Sequence, residues 1–371
     1  MKKLVALLLL IGCILALVGC KEIYEPQEST EEEARVVMTL KHGNNTYSVK
    51  YELYRAFFLT YKSTVDGGDE SVWTGDSKDE YIEKIDGIII DKILDIYSTF
   101  ALAQSLGIDP YSTEVGKLIN DYINISVDGG VIGGKTYLGY PGYTEYLESL
   151  WKMNLNYSVQ TLLFRYAIVT DMIDEYFIGN LTEDDIDAGV LSLGALKYTE
   201  DDVRNFYFGD GCVRVLRTYI SEEMDTDPEA RAERAREAIL DAAERGESAV
   251  RDEMINQGST TTVPELENGF VIGKHNLSSF YYSDLTDAAM SLDVGEVSEV
   301  VSIHDGELLK YYIVYRAEKS EEHLEDNYAQ IAYIYVRNTI GSRYDEVKEA
   351  MKGGVEYTDY LKSLDRSEIS M

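Results

Sequence analysis

Apolar positions recur at spacings of three and four over much of the chain. Tyr51, Tyr54, Phe57, Phe58 and Tyr61 mark an amphipathic helix over 49–61. Ile82, Ile85, Ile89, Ile93, Ile96, Phe100 and Ala103 mark a long core helix over 81–106, opened by Ser77-x-x-Glu80 as a capping box and closed by Gly107. A second long helix is expected over 144–177 through Tyr146, Leu150, Met153, Tyr157, Leu162, Leu163, Tyr166, Ile173 and Phe177. Residues 36–50 alternate instead, with Gly43-Asn44 or Asn44-Asn45 as turn residues, which predicts a hairpin. Thr182-x-x-Asp185 and Thr199-x-x-Asp202 read as N-caps, and Gly209-Asp210-Gly211 follows the second. Beyond it the order is a strand over 212–220, a charged helix over 230–244 ended by Gly246, a helix over 248–257 and a polar loop over 258–264. Leu285, Ala288, Ala289 and Leu292 then give a short helix, stopped by Gly295 before an extended run over 297–301. A strand over 309–315 and a helical section over 321–364 complete the pattern.

The two ends of the first 35 residues differ in kind from this body. Met1-Lys2-Lys3 precedes an apolar run, Leu4 to Val18, that is short for a membrane span and ends in Leu17-Val18-Gly19-Cys20. This resembles a bacterial lipoprotein signal, which implies that 1–19 are removed and that Cys20 carries the lipid; an uncleaved helical anchor is the alternative. Residues 20–35 are Glu-rich with Pro26 and no apolar period, a tether too polar to fold. The body then lies on the extracytoplasmic face of the cell membrane. Apart from Cys20 only Cys212 lies beyond the signal, so no intramolecular disulfide framework is available to the body.

The formal charge of −33 over 371 residues excludes nucleic acid as a partner and favours solubility beside aggregating chains. No calcium-loop spacing is present. Gly129-x-x-x-x-Gly134-Lys135-Thr136 formally satisfies a phosphate-loop pattern, but Gly139, Pro141 and Gly142 follow where the motif requires a helix, so it is not read as a nucleotide site. His42, His275, His304 and His323 are scattered, and no metal or other cofactor is expected.

The stretch from Asp284 to Val301, with Asp287-Ala288-Ala289-Met290-Ser291-Leu292 before Gly295-Glu296-Val297-Ser298, resembles the signature of the parvulin family of peptidyl-prolyl isomerases. Ala103-Gln104-Ser105-Leu106-Gly107-Ile108 is similar to a helix end in the N-terminal domains of parvulin-containing foldases and their trigger-factor-like relatives. The resemblance implies an α+β chain with a mostly helical, chaperone-like domain over 36–208. A parvulin-like domain with a small antiparallel sheet follows over 212–318, and C-terminal helices over 319–371 pack back on the first domain. It also implies a membrane-anchored foldase that binds unfolded or nascent exported polypeptides, and a homodimer is the oligomer considered.

Parvulins lower a rotation barrier of about 18–20 kcal/mol by seating proline in an apolar pocket and surrounding the twisting amide with hydrogen-bonding groups, two of them histidines. The resemblance places those histidines at Arg217 and Tyr312, the catalytic-loop residue at Ser259, and substrate contacts at Phe270, Tyr281, Leu285 and Met290. Arg and Tyr do not reproduce a neutral imidazole donor and acceptor, so isomerase activity is expected to be weak or lost. Two other readings stay open, an active isomerase with an altered site and a substrate-binding or structural lipoprotein. With 30 Tyr against 9 Phe, the tyrosines suit either an adaptable client surface or a paved core.

Overall fold

The computed structural model describes residues 28–132, 135–179, 192–221, 223–258, 269–275, 283–305 and 308–370. The signal, Cys20, Thr182, Ser259 and Tyr281 lie outside the described residues. The protein mixes α-helix with small antiparallel sheets and divides into two compact units, 1–173 with 346–371, and 174–345. No helix among the described residues is long and apolar enough to cross a membrane.

In the first unit β1 (Val36–His42) and β2 (Asn45–Lys50) form the expected hairpin, closing at His42 opposite Asn45 around Gly43-Asn44. Helix α1 (Tyr51–Asp66) follows, then a 3-10 turn (Glu70–Trp73) and α2 (Lys78–Ser105), whose stripe Ile85, Ile89, Ile93, Ile96 and Phe100 is buried as its period requires. Ser77 precedes α2 but makes no capping bond, so the capping box expected there is not formed. At the other end Gly107 takes a φ of +82°, which lets Ile108 N–H reach back to the Ala103 carbonyl. Helix α3 (Thr113–Asp128) is capped by Ser112, which accepts from Val115 N–H.

A two-strand hairpin, β3 (Gly130–Ile132) with β4 (Lys135–Tyr137), leads on to α4 (Tyr143–Lys152) and α5 (Tyr157–Ile178). No helix directly follows Thr136, so the backbone geometry of a phosphate loop is absent there. The single helix expected over 144–177 is in fact α4 and α5. Asn154 breaks it with a φ of +61°, and the Asn156 side chain accepts from Val159 N–H to start α5.

The second unit takes the last turn of α5 and then α6 (Glu200–Phe208), opened by a capping box in which Thr199 and Asp202 satisfy each other's backbone N–H. Strand β5 (Cys212–Ser221), helices α7 (Pro228–Ala243) and α8 (Glu247–Gln257), β6 (Phe270–Gly273), α9 (Ser283–Ser291), β7 (Val301–Asp305) and β8 (Leu308–Ala317) follow. The sheet order is β6-β5-β8-β7, with neighbours antiparallel throughout. Strand parity sorts its two faces. Leu216 and Ile220 of β5, with Ile313, Tyr315 and Ala317 of β8, pack under Ala232, Ala235 and Ile239 of α7 and Val250 and Met254 of α8. Val213, Val215, Tyr312 and Val314 face the other way, against Leu285 and Ala289 of α9. Past α9, the segment around Val297 lies antiparallel to β8 before β7 begins at Val301.

The expected helical section over 321–364 is more varied. It holds α10 (Glu321–Asp326), α11 (Tyr328–Lys352), a three-residue strand β9 (Val355–Tyr357) and a short α12 (Asp359–Ser363). Strand β9 pairs with the free edge of β1, so the chain end completes the sheet of the first unit. Leu324, Ile331, Ala332 and Ile334 instead share a buried cluster with Val203, Tyr207, Cys212 and Val271. The boundary between compact units therefore falls at 345/346 and 173/174, where the sequence pattern suggested 318/319 and 208/212.

Candidate functional site

The α9 face of the sheet gathers most of the groups that the parvulin resemblance singles out. Arg217 sits on β5 opposite Val314, Tyr312 on β8 opposite Tyr219, and Phe270 opens β6 opposite Val215. The Arg217 guanidinium carbon lies 4.2 Å from the Phe270 ring centroid and 5.9 Å from that of Tyr312. Tyr312 in turn packs at 5.5 Å from Tyr219, whose ring carries the Lys310 ammonium at 4.9 Å. The result is a row running Phe270, Arg217, Tyr312, Tyr219 and Lys310, in which each cation–ring step stabilises by roughly 0.5–1 kcal/mol and more where desolvated. Leu285 and Tyr312 are buried, whereas Arg217, Phe270 and Met290 are half-buried. Five of the seven catalytic and substrate positions thus share one face, and Ser259 and Tyr281 lie outside the described residues.

Chemically, this face offers aromatic surface and fixed positive charge. Among the described side chains it offers no imidazole. His323 is on α10, where Nδ1 lies 2.9 Å from the Tyr207 hydroxyl, and His275 follows β6 with Nε2 3.5 Å from Asp345, its pKa lowered by burial. Among the described residues no group of three or more His, Cys, Asp and Glu side chains could hold a metal ion. Cys212 is buried, and burial pushes its thiol up to about 11, which removes it as a nucleophile at neutral pH.

The opposite face is held by Arg214, whose Nη1 and Nη2 donate to Glu247 at 2.9 and 2.7 Å and whose Nη1 also donates to the Glu318 carbonyl. This fork ties β5 to the start of α8. Burial alone would raise the Glu247 carboxyl, but Arg214, with Arg251 beside it, holds it below its ordinary 4.5. A lowered folded-state pKa means stability that is present above the unfolded value and lost as pH falls through the folded one. Urea midpoints taken from about pH 6 down to about pH 3 should therefore fall less steeply in Glu247→Gln than in wild type. Parallel curves for the two proteins would show that this pair adds nothing to acid sensitivity.

The first unit holds two adjoining cavities of about 300 and 660 Å³ that share Tyr111, Ser158, Thr161 and Arg165. Tyr97 lines one and Tyr157 the other. Sequence pattern did not single out this site. Arg165 reads as the polar side of α5, and Tyr111 as a loop residue before α3. Beside the cavities Glu33, Glu52 and Arg55 are buried together: Arg55 donates to Glu33 at 2.6 Å, while Asn156, Ser29 and Ser158 donate to Glu52. This network fastens the last residues of the polar N-terminal segment to α1 and α5, so the stretch from Ser29 to Arg35 is ordered rather than part of a free tether.

No protein-family model and no curated protein matches the chain. Solved structures similar to it include three foldase proteins. PrsA from Streptococcus pneumoniae str. Canada MDR_19A aligns at 12% identity and a TM-score of 0.23, over 85% of this chain and 94% of that one. PrsA from Lactococcus lactis aligns at 13% and 0.22, over 91% and 100%, and PrsA from Bacillus subtilis at 14% and 0.23, over 79% and 94%. At these scores the likeness assigns no activity.

Proposed function

We propose that the protein is a membrane-anchored extracytoplasmic foldase of the chaperone kind. In this reading it binds unfolded exported polypeptides, and its isomerase chemistry is weak or lost. The observation that carries it is the α9 face of the sheet: Arg217, Phe270, Leu285, Met290 and Tyr312 converge where the parvulin resemblance puts a proline site, yet as a cation stacked on rings. Such a face can hold an apolar or aromatic segment of a client. Favouring the twisted amide over the planar one takes donors and acceptors that bind the transition state better than the ground state, and the imidazole pair that would do so is missing. The same convergence supports a second reading, an isomerase whose site has been rebuilt around Arg217 and Tyr312.

The purified chain is expected to suppress aggregation of a denatured test protein at near-stoichiometric ratio, read by light scattering. No suppression at several-fold excess would sink the proposal. Anchoring rests on the box ending at Cys20, because stable attachment needs two acyl chains and only that thiol can receive them. Wild type should partition into the detergent phase and Cys20→Ala into the aqueous one. Equal partitioning would remove the lipid from the account.

A further inference from the structure

We infer that the paired cavities of the first unit bind a carboxylate carried on an extended polypeptide, with Arg165 as the group that recognises it. This rests on the client-binding reading above and names the chemistry of the client.

Several sheltered cations of this acidic chain are matched by carboxylates. Arg55 is paired with Glu33, Arg366 with Asp86, Lys348 with Asp91 and Asp95, Arg214 with Glu247 and Arg337 with Asp174. With 67 Asp and Glu against 34 Lys and Arg, partners are plentiful, and leaving a half-buried guanidinium without one sacrifices stability. Arg165 is left so. Its Nη1 donates to the Pro110 carbonyl at 2.6 Å, its carbon lies 4.8 Å from the Tyr111 ring centroid, and it forms no ion pair among the described residues. Burial lowers its pKa, as expected of a charge whose hydration has been removed without full replacement. Asp109 is the nearby acid that opposes this effect, but its carboxylate is engaged by Tyr111 N–H at 2.9 Å.

Arg165 lines both cavities, so the position where a counter-charge is missing is also where a ligand enters. The rest of the lining agrees. Lys50 is matched by Glu52 at 3.5 Å, and Glu52 is already held by Ser158, which leaves Lys117 and Arg165 as the excess charge. The cavities are thus locally positive in a chain of net charge −33. Repulsion from the remaining surface is screened beyond about 8 Å at physiological salt, whereas a sheltered contact is screened much less. Tyr97, Tyr111 and Tyr157 supply rings for the apolar residues flanking the anion. The carboxylate has two sources in an unfolded chain, an Asp or Glu side chain and the free C-terminus.

The test uses the purified full chain and fluorescein-labelled undecapeptides of Leu, Tyr and Ala with a varied centre and end, read by anisotropy. One has a central Glu and an amidated end, one a central Gln and an amidated end, and one a central Gln with a free carboxyl end. Wild type is expected to bind at least one carboxylate peptide about tenfold more tightly than the uncharged one, the size expected of a charge-assisted hydrogen bond. Which of the two is preferred identifies the source. Arg165→Gln should abolish the preference for the carboxylate peptides. Should that variant disturb the Pro110 turn, Lys117→Gln decides: Lys117 is exposed and forms no ion pair or side-chain hydrogen bond among the described residues, and its loss should cut the preference several-fold. Equal binding of charged and uncharged peptides by wild type, or a preference that survives in both variants, overturns the inference but leaves client binding standing. Failure of every peptide to bind overturns both.

Discussion

Arg366→Ala is expected to destabilise the first unit by about 3–5 kcal/mol, the cost typical of breaking one side of a buried, hydrogen-bonded charge pair. Arg366 is only 6% exposed, in the 3-10 turn after α12. Its Nη2 contacts Asp86 of α2 at 3.1 Å, its Nε donates to the Tyr54 hydroxyl of α1 at 3.2 Å, and its Nη1 donates to the carbonyls of Leu361 and Leu364. One side chain therefore fastens the chain end to the first two helices, and its removal leaves Asp86 and two carbonyls to find other partners. Urea unfolding followed by far-UV circular dichroism reads the effect, with Arg366→Lys as the comparison, since lysine keeps the charge but loses the planar fork. A loss below about 1 kcal/mol would show that water replaces these contacts freely, as it does for surface pairs.

A comparable loss is expected at Trp73, the largest fully buried side chain of the protein. Trp73→Ala should cost about 3–5 kcal/mol through the lost transfer energy and the cavity left behind. The ring packs at 5.2 Å from Phe58 of α1 and 6.2 Å from Tyr81 of α2, and its Nε1 donates to buried Asp66 at 2.7 Å. Trp73→Phe divides the two contributions. It keeps an aromatic filler but orphans one oxygen of Asp66, a penalty of about 1–3 kcal/mol. If Phe restores the whole of the loss seen with Ala, the hydrogen bond to Asp66 contributes nothing, and packing alone holds the 3-10 turn between the helices.

Much of this architecture could be read from residue order, and the failures have physical causes. The hairpin at Gly43-Asn44, the stripe of α2 and the capping box at Thr199 follow from periods and turn chemistry that act over a few residues. The break at Asn154 escaped because the apolar period runs unbroken through it, while the backbone reverses at a single left-handed residue. Ser77 carries the right spacing for a cap, but spacing does not fix the side-chain rotamer that would make the bond. Strand β9 is three residues long and owes its form to the exposed edge of β1, a partner more than 300 residues earlier in the chain. The grouping of Arg217, Phe270, Tyr312, Leu285 and Met290 was legible because strand parity and the position of α9 decide which face each side chain meets. Arg165 was not, because a missing counter-charge is a property of space rather than of sequence.

The claim at the centre of this account is that the chain keeps the surfaces for binding an unfolded polypeptide and lacks the groups for twisting its X-Pro bonds. Two-dimensional exchange NMR on an isotope-labelled, unstructured X-Pro peptide measures both at once, because binding moves or broadens resonances while catalysis creates cross-peaks between cis and trans forms. With the purified chain added, the peptide resonances should shift and broaden, and exchange should stay on the uncatalysed scale of tens to hundreds of seconds. Cross-peaks at catalytic amounts of protein, lost in Arg217→Ala or Tyr312→Phe, would contradict the account and assign isomerisation to a site rebuilt around those two residues.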